Sequence, residues 1–358
     1  MMKKIIITVM AFLGSANIFA AHGDETILPS TTDVNLIAPY QSGSWSFGVQ
    51  ANYFQSNNDF NYAVETIKTS VSTPPTTNGQ TRTDAVGTDN QWGWGADITY
   101  HFPGNGRDVT LAFTQLNSSN SDYVSTGIPN QTTSFMPIGS GPIAGTYDDA
   151  SGKVTTNYDA VDLSFGQVMT VGNRVSLHPF AGVRYAYIDY QAMGVYNELY
   201  PNTIPTEIEN IGTQTLKSTF NGVGPRFGND AIVTFSPKLS LRGTLGVSVL
   251  VGGMDAKNEY TFTTYKQFAP GQINHATTES HNMDTNIRVV PEVDAKLAAL
   301  YQLDSNSSYN LGLEVGYQVT NYFNAILNNT QDDTTSTAPQ YTNFFMQGPY
   351  ARLQLDMA

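Results

Sequence analysis

From Leu311 to Thr320 the chain alternates without interruption. Leu311, Leu313, Val315, Tyr317 and Val319 fall on one parity, and Gly312, Glu314, Gly316, Gln318 and Thr320 on the other. Successive side chains of a β-strand point to opposite faces, so this segment is a strand with one apolar and one polar side, and no 3.6-residue period fits it. The pattern recurs in Trp45–Tyr53, where Trp45, Phe47, Val49, Ala51 and Tyr53 oppose Ser46, Gly48, Gln50 and Asn52, and again in Trp92–Phe102. Asn286–Gln302 has two readings. As a helix it would place Pro291 in the first turn and pair Glu292 with Lys296 at i,i+4. As a strand it gathers Ile287, Val289, Pro291, Val293, Ala295, Leu297, Ala299 and Tyr301 on one wholly apolar side, and the company of its neighbours favours the strand.

Composition agrees with a β-rich chain. Gly 31, Tyr 20 and Phe 18 with only 13% charged residues suit many strands and turns better than helices. The absence of Cys excludes disulfides, thiolate metal sites and cysteine nucleophiles together. Met1-Met2-Lys3-Lys4, the apolar run Ile5–Gly14 and the small-residue exit Ser15–Ala20 make residues 1–20 a signal peptide, with cleavage expected after Ala20. That run is too short to span a bilayer as a helix, and no later stretch approaches 18 uncharged apolar residues. The formal charge is −13 and becomes more negative once Lys3 and Lys4 are removed, which argues against nucleic acid as a partner.

Ten strands are expected: Trp45–Tyr53, Trp92–Phe102, Val109–Leu116, Tyr158–Met169, Val175–Tyr190, Ser218–Phe235, Leu239–Val251, Asn286–Gln302, Leu311–Thr320 and Phe344–Met357. Their connections alternate between short (Pro103–Asp108, Thr170–Arg174, Ser236–Lys238, Gln302–Ser308) and long (Gln55–Gln91, Asn117–Asn157, Gln191–Lys217, Gly252–Asp284, Asn321–Asn343). Antiparallel strands with tight turns at one end and long loops at the other describe an all-β, up-and-down transmembrane barrel, with periplasmic turns and extracellular loops. Residues 43–358 would form this barrel, and residues 21–42 a polar, strand-poor segment in the periplasm or the lumen.

Charge placement is the sharpest test, because a lipid-facing charge costs about 2–4 kcal/mol at the bilayer midplane. The apolar faces carry none in their central parts. The opposite faces carry the bases Arg184, Arg226, Arg242, Arg288, Lys296 and Arg352, and the acids Asp97, Asp162, Asp230, Glu292, Asp294, Glu314 and Asp356. A near balance suits side chains that must find partners in a confined lumen. Glu292, Asp294 and Lys296, opposite Glu314 and Gln318, form the densest group, readable as a constriction or as a salt-bridge lattice that fills the lumen. The inward glycines Gly93, Gly95, Gly182, Gly222, Gly224, Gly228, Gly246, Gly312 and Gly316 are expected to leave room for a narrow path. The competing fold is a soluble β-sandwich with the apolar faces as core. Trp45, Tyr53, Trp92, Tyr100, Phe102, Tyr185, Tyr187 and Tyr301 near strand ends, as in membrane girdles, count against it. Pro179, Pro225, Pro291 and Pro349 fall inside expected strands, where bulges or local bends are expected to accommodate them, with a one-residue slip of parity at any bulge.

Five blocks carry a family resemblance: NYDAVDLSFGQ (Asn157–Gln167), HPFAGVRYAYIDY (His178–Tyr190), FNGVGPRFGND (Phe220–Asp230), VVPEVDAKLA (Val289–Ala298) and FFMQGPYARLQL (Phe344–Leu355). Together they resemble the Legionella-type major outer membrane protein family of pore-forming barrels, over most of the chain from about Gly43 onward. The resemblance implies an outer-membrane location and a porin-like barrel, with surface loops that meet host or environmental partners. Where outer-membrane strands usually close on an aromatic residue, the last outward positions here are Leu353, Leu355 and Met357.

Catalytic chemistry finds little support. His22 lies near the mature start, His101 and His178 at strand ends as parts of an interior polar network, and His275 and His281, near Glu279 and Asp284, in a long loop better read as solvated than as a metal site. Asp148-Asp149 and Asp332-Asp333 are likewise read as solvated turns. No cofactor, no metal and no enzyme activity is expected. The primary functional expectation is passive diffusion of ions and small polar solutes through a lumen lined by Asp97, His101 and the charges named above. The alternative is a closed barrel that displays acidic loops as an adhesin or receptor surface. Expected partners are outer-membrane lipid and lipopolysaccharide, permeating solutes and host-surface ligands, and any homo-oligomer would lack disulfides.

Overall fold

The computed structural model describes residues 34–35, 43–56, 60–70, 77–87, 89–104, 106–125, 131–137, 147–200, 207–268, 271–305, 309–328 and 340–357. The expected signal peptide, His22 and Asp332-Asp333 lie outside these residues. The side chains of His275, Glu279, His281 and Asp284 do so as well.

The strands are β1 (Val34–Asn35), β2 (Ser44–Ser56), β3 (Phe60–Ser70), β4 (Thr77–Val86), β5 (Gln91–His101), β6 (Arg107–Ser125), β7 (Gln131–Pro137), β8 (Asp149–Gln167), β9 (Met169–Val171), β10 (Val175–Tyr200), β11 (Glu207–Ser236), β12 (Leu239–Phe268), β13 (Gly271–Ser305), β14 (Tyr309–Asn328) and β15 (Gln340–Met357). Ten of them close an antiparallel ring in the order β2, β5, β6, β8, β10, β11, β12, β13, β14, β15, with β15 returning to β2 through Met357 opposite Trp45. The number and positions of the barrel strands agree with the alternation. Asn286–Gln302 lies within β13 and is extended.

Burial is inside out relative to a water-soluble sheet protein, which removes the sandwich reading. Ile287 is 81% exposed and Phe227 56%, while Glu292 is 1% and Asn52 0% exposed. A continuous apolar band of this kind is unstable in water and marks a surface made for lipid. The outward positions are odd-numbered, except on β5, where Trp92, Trp94, Tyr100 and Phe102 face out and Asp97 faces in. Aromatic pairs stand at both ends of the band. Trp45 and Tyr100 have ring centroids 4.8 Å apart at the short-turn end, and Tyr53 and Trp92 4.9 Å apart at the other.

The long connections differ from expectation. Crossing a bilayer takes about 9–11 residues of tilted strand, yet β13 has 35 residues and β11 and β12 have 30 each. Much of what reads as loop is the continuation of these strands beyond the apolar band, paired up to Tyr200 opposite Ile208 and Phe268 opposite Gly271. The Gln55–Gln91 connection supplies β3 and β4, which with β7 make a separate three-stranded sheet. Tyr62 and Val86 of that hairpin are buried, and a Cβ on Gly152 of β8 would meet both. Within residues 21–42, Val34 and Asn35 form the short strand β1 against β9 at the short-turn end.

The four prolines are accommodated without bulges, and the parity does not slip. Val183 pairs with Pro225 on one side, while on the other the β11–β12 ladder skips from Val223–Val251 to Arg226–Ser248 in unchanged register. Pro349 pairs with Tyr317, and the β15–β2 ladder skips from Gln347–Gln55 to Tyr350–Asn52. Pro179 and Pro291 each stand one residue outside a ladder, whose terminal pairs are Phe180–Gly166 and Glu292–Tyr322. A missing N–H is tolerated where the ladder on that side has a gap or has ended. The barrel's register shifts are elsewhere, at Thr234/Ser236, Met254/Ala256, Gln302/Asp304 and Tyr322/Ile326.

Candidate functional site

The barrel lumen gathers the polar faces, and its charges sort into three groups. In the first, Arg184 of β10 makes a bidentate pair with Asp162 of β8, with Nε and Nη2 each 2.6 Å from a carboxylate oxygen, and its Nη1 reaches Glu292 of β13 at 2.5 Å. Arg226 of β11 joins them, with Nη1 2.6 Å from Asp294 and 3.3 Å from Glu292. Four strands are thereby tied across the lumen in a lattice whose members, apart from the partly buried Asp162, are almost wholly buried. Such charges are tolerated only when each has partners, and here each has.

In the second group Arg352 of β15 forks onto Asp97 of β5 at 2.9 and 2.7 Å, while Glu314 of β14 accepts from Arg242 at 2.9 Å, from Arg352 at 3.4 Å and from the Tyr350 hydroxyl at 2.5 Å. In the third, His178 sits between Asp108 at 2.8 Å and Asp230 at 3.2 Å, and His101 bonds Ser46 at 2.9 Å with its other ring nitrogen 3.9 Å from Asp108.

The sequence-based trio of Glu292, Asp294 and Lys296 is divided by this arrangement. The two acids belong to the Arg184–Arg226 lattice, whereas the Lys296 ammonium lies 5.5 Å from the centre of the Tyr350 ring, and the ion partners of Glu314 are Arg242 and Arg352. Arg288 stands apart, 4.1 Å above the Tyr341 ring, and Asp356 accepts from Gln354 at 2.6 Å and from Asn310 at 3.3 Å. Asp108 is a lumen residue that the sequence reading missed. It continues the polar face of β6 through Thr110, Ala112 and Thr114, one position before the strand was expected to begin.

Glycines make the room for these pairs. A Cβ on Gly246 would lie 2.6 Å from both Arg226 and Asp294, one on Gly48 would strike Asp97 and Arg352, and one on Gly166 would strike His178. The inward glycines therefore do not leave an open path. Their space is taken by guanidinium groups, by Phe220 at Gly222 and Phe180 at Gly228, and by neighbouring backbone at Gly182 and Gly224. Gly312 alone of the nine retains free space, its nearest atom 4.0 Å away.

The short-turn half holds a cavity of about 290 Å³, bordered by Asp97, His101, Asp108, His178, Asp230 and Lys296 and ending against the Arg226–Asp294 pair, and a second of about 180 Å³ lined by Ser240, Gln302, Gly312, Gln354 and Asp356. Beyond the lattice the lumen is filled. Phe54, Leu116, Tyr158, Ile188, Phe220, Leu250, Val290, Tyr322 and Phe344 are buried in one cluster, one residue from every barrel strand except β5. The Tyr158 and Tyr322 hydroxyls bond at 2.9 Å, and both rings pack on Phe344. Burial of each such side chain is worth about 1.5–3 kcal/mol, so this layer is a stable element.

The layer is roofed by β14 itself. β14 leaves β13 after Tyr322, turns at Asn324, whose φ is +57°, and runs inward so that Ala325, Ile326 and Leu327 are all buried. The Leu327 amide donates to Ser218 Oγ of β11 at 2.9 Å, reaching past two intervening strands. Positive φ at a residue other than glycine is uncommon, and Asn is among the side chains that tolerate it best.

A family model described as Legionella pneumophila major outer membrane protein precursor matches residues 37–357. No curated protein sequence matches the chain. Among solved structures, the outer membrane protease OmpT from Escherichia coli is similar at 10% identity with a TM-score of 0.35, over 91% of this chain and 99% of that one. The toluene transporter TodX of P. putida is similar at 6% identity with a TM-score of 0.25, over 88% and 90%. Likeness this loose carries no chemistry across.

Proposed function

The chain belongs to the family of the Legionella pneumophila major outer membrane protein, and on that premise we propose that it is a porin-like barrel of restricted permeability. Its narrow, charge-lined path opens toward the periplasm and is shut at rest. The short-turn end is the periplasmic end, as in other outer-membrane barrels. The observation that carries the reading is the 290 Å³ cavity, lined by charges of both signs, which among the described residues narrows onto the Arg226–Asp294 pair. Ions and small polar solutes enter this vestibule and exchange part of their hydration for its carboxylate, guanidinium and imidazole groups. Passage beyond it requires the Tyr158–Tyr322–Phe344 layer and the β14 roof to move. A ten-stranded barrel is of a size that allows at most a narrow route, since about eight strands are just filled and 16–18 hold an aqueous channel. No catalytic step is part of this reading.

The test is single-channel recording in planar bilayers, comparing the parent with Ser218→Ala, which removes the side-chain anchor of the roof. Rare, brief steps from the parent and longer or more frequent steps from the variant are expected. A second reading, a permanently closed barrel that displays its extracellular walls, is favoured by the buried layer drawn from nine strands. Complete silence from both proteins, each folded in the bilayer, would establish it in place of the first.

A further inference from the structure

We propose that the outer wall just above the lipid belt docks the phosphate groups of an outer-leaflet glycolipid through Lys153, Lys217 and Lys257. The belt ends on the extracellular side at a row of register partners running Trp94, Gln115, Asp159, Tyr187 and Asn221 across β5, β6, β8, β10 and β11. The row beneath it, Ala96, Phe113, Val161, Tyr185 and Val223, carries no charge. Above the boundary the strands continue with their outward side chains exposed. Lys217 lies four residues beyond Asn221 on β11, and Lys257 is its register partner on β12. Lys153 lies six residues beyond Asp159 on β8. With a rise of about 3.3 Å per residue and a strand tilt of about 40°, the three ammonium groups stand roughly 10–15 Å above the belt. That is the height of headgroups, and the groups point sideways into them.

The three form one surface. Lys153 is the register partner of Met193, and Met193 of Thr215, two residues from Lys217. The Lys153 and Lys217 positions are therefore about 12 Å apart, from two strand spacings and two residues of rise. Beside Lys153 the wall is dished into a groove of about 470 Å³ lined by Ser121, Asp122, Tyr123, Ser151 and Met193, with hydroxyl groups and a flat ring suited to a sugar and a carboxylate that accepts from sugar hydroxyls. Lys153 makes no ion pair among the described residues. Lys217 and Lys257 lie 3.6 Å from Asp189 and 2.5 Å from Glu259, but both lysines are about half exposed, and pairs in that setting exchange readily for a stronger anion.

Position selects the source of the phosphate. A dissolved anion must approach a chain of formal charge −13, whereas one held in the leaflet beside the lysines is already present at high local concentration. An acylated phosphosugar also places its chains against the apolar belt directly below.

The experiment measures binding of the detergent-folded full-length mature chain to bisphosphorylated lipid A, to its dephosphorylated form and to phosphatidylglycerol, each in mixed micelles of the same detergent. It is repeated with K153Q/K217Q/K257Q and with the triple arginine variant, all first checked for heat-modifiable mobility. At least tenfold preference for the bisphosphorylated lipid is expected, lost in the glutamine variant and restored by arginine. Unchanged binding by the glutamine variant would overturn the proposal. So would equal affinity for phosphatidylglycerol, which would mean a generic anionic surface, or displacement by millimolar inorganic phosphate, which would mean a site for free anions.

Discussion

Arg184 on β10 and Glu292 on β13 are separated by two strands of the barrel wall, yet Nη1 and Oε1 meet across the lumen at 2.5 Å. Glu292 also accepts from Arg226, so its carboxylate holds two guanidinium groups that are themselves out of water. Truncating it leaves the two guanidinium groups to share Asp162 and Asp294, with two buried N–H donors that lose this acceptor. Glu292→Ala is expected to lower stability by about 3–5 kcal/mol, measured by urea unfolding in lipid vesicles. A double-mutant cycle with Arg184→Leu should recover part of the loss. Strict additivity of the two substitutions would mean that the lattice is not a unit.

Gly166 provides the floor for His178. Gly166→Ala is expected to cost about 1–3 kcal/mol by overpacking, and to cost almost nothing in a His178→Ala background. Equal effects in the two backgrounds would show that the imidazole does not occupy that space.

The ladder gap at Pro225 predicts a contrast between neighbours. Pro225→Val should keep heat-modifiable mobility and an unfolding free energy within about 1 kcal/mol of the parent. Val223→Pro, two residues away where the register is continuous to Tyr185 and Val251, should abolish folding. Comparable damage from both would refute the gap as the accommodating feature.

The lipid belt can be located by fluorescence, because the chain has only three Trp. Single-Trp variants retaining Trp45 or Trp92 should be quenched most by lipids brominated near the glycerol. A Trp introduced at Val223 should be quenched most by bromines at the chain ends. The reverse order would displace the belt and with it the height assigned to the lysines.

The barrel was legible because its wall separates two media, so that alternation in Leu311–Thr320 or Trp45–Tyr53 maps directly onto lipid and lumen. The upper walls were not, for the opposite reason. With water outside, the outward Thr215, Thr261 and Thr263 look like loop, although Leu216, Tyr260 and Phe262 beside them are buried or half-buried. The apolar layer in the lumen was missed because apolar residues on the polar parity, such as Ile188, Phe220 and Leu250, look like noise in an alternating pattern. The run from Tyr322 to Leu327 held a signal, since it does not alternate at all, and it proved to be the roof. Which base meets which acid was beyond reach. Arg184 finds Glu292 through the tilt and closure of the ring, and no spacing along the chain records either.

One feature of β13 ties the hairpin it shares with β12 to the interior of the barrel. A single strand runs from Gly271, at the outermost described hairpin, down to Glu292 and Asp294 in the lumen, paired with β12 along its length and shifted in register once, near Met254. The carboxylates on which Arg184 and Arg226 rest thus belong to the same hydrogen-bonded ribbon that forms the far hairpin, and some twenty residues of continuous backbone separate the two.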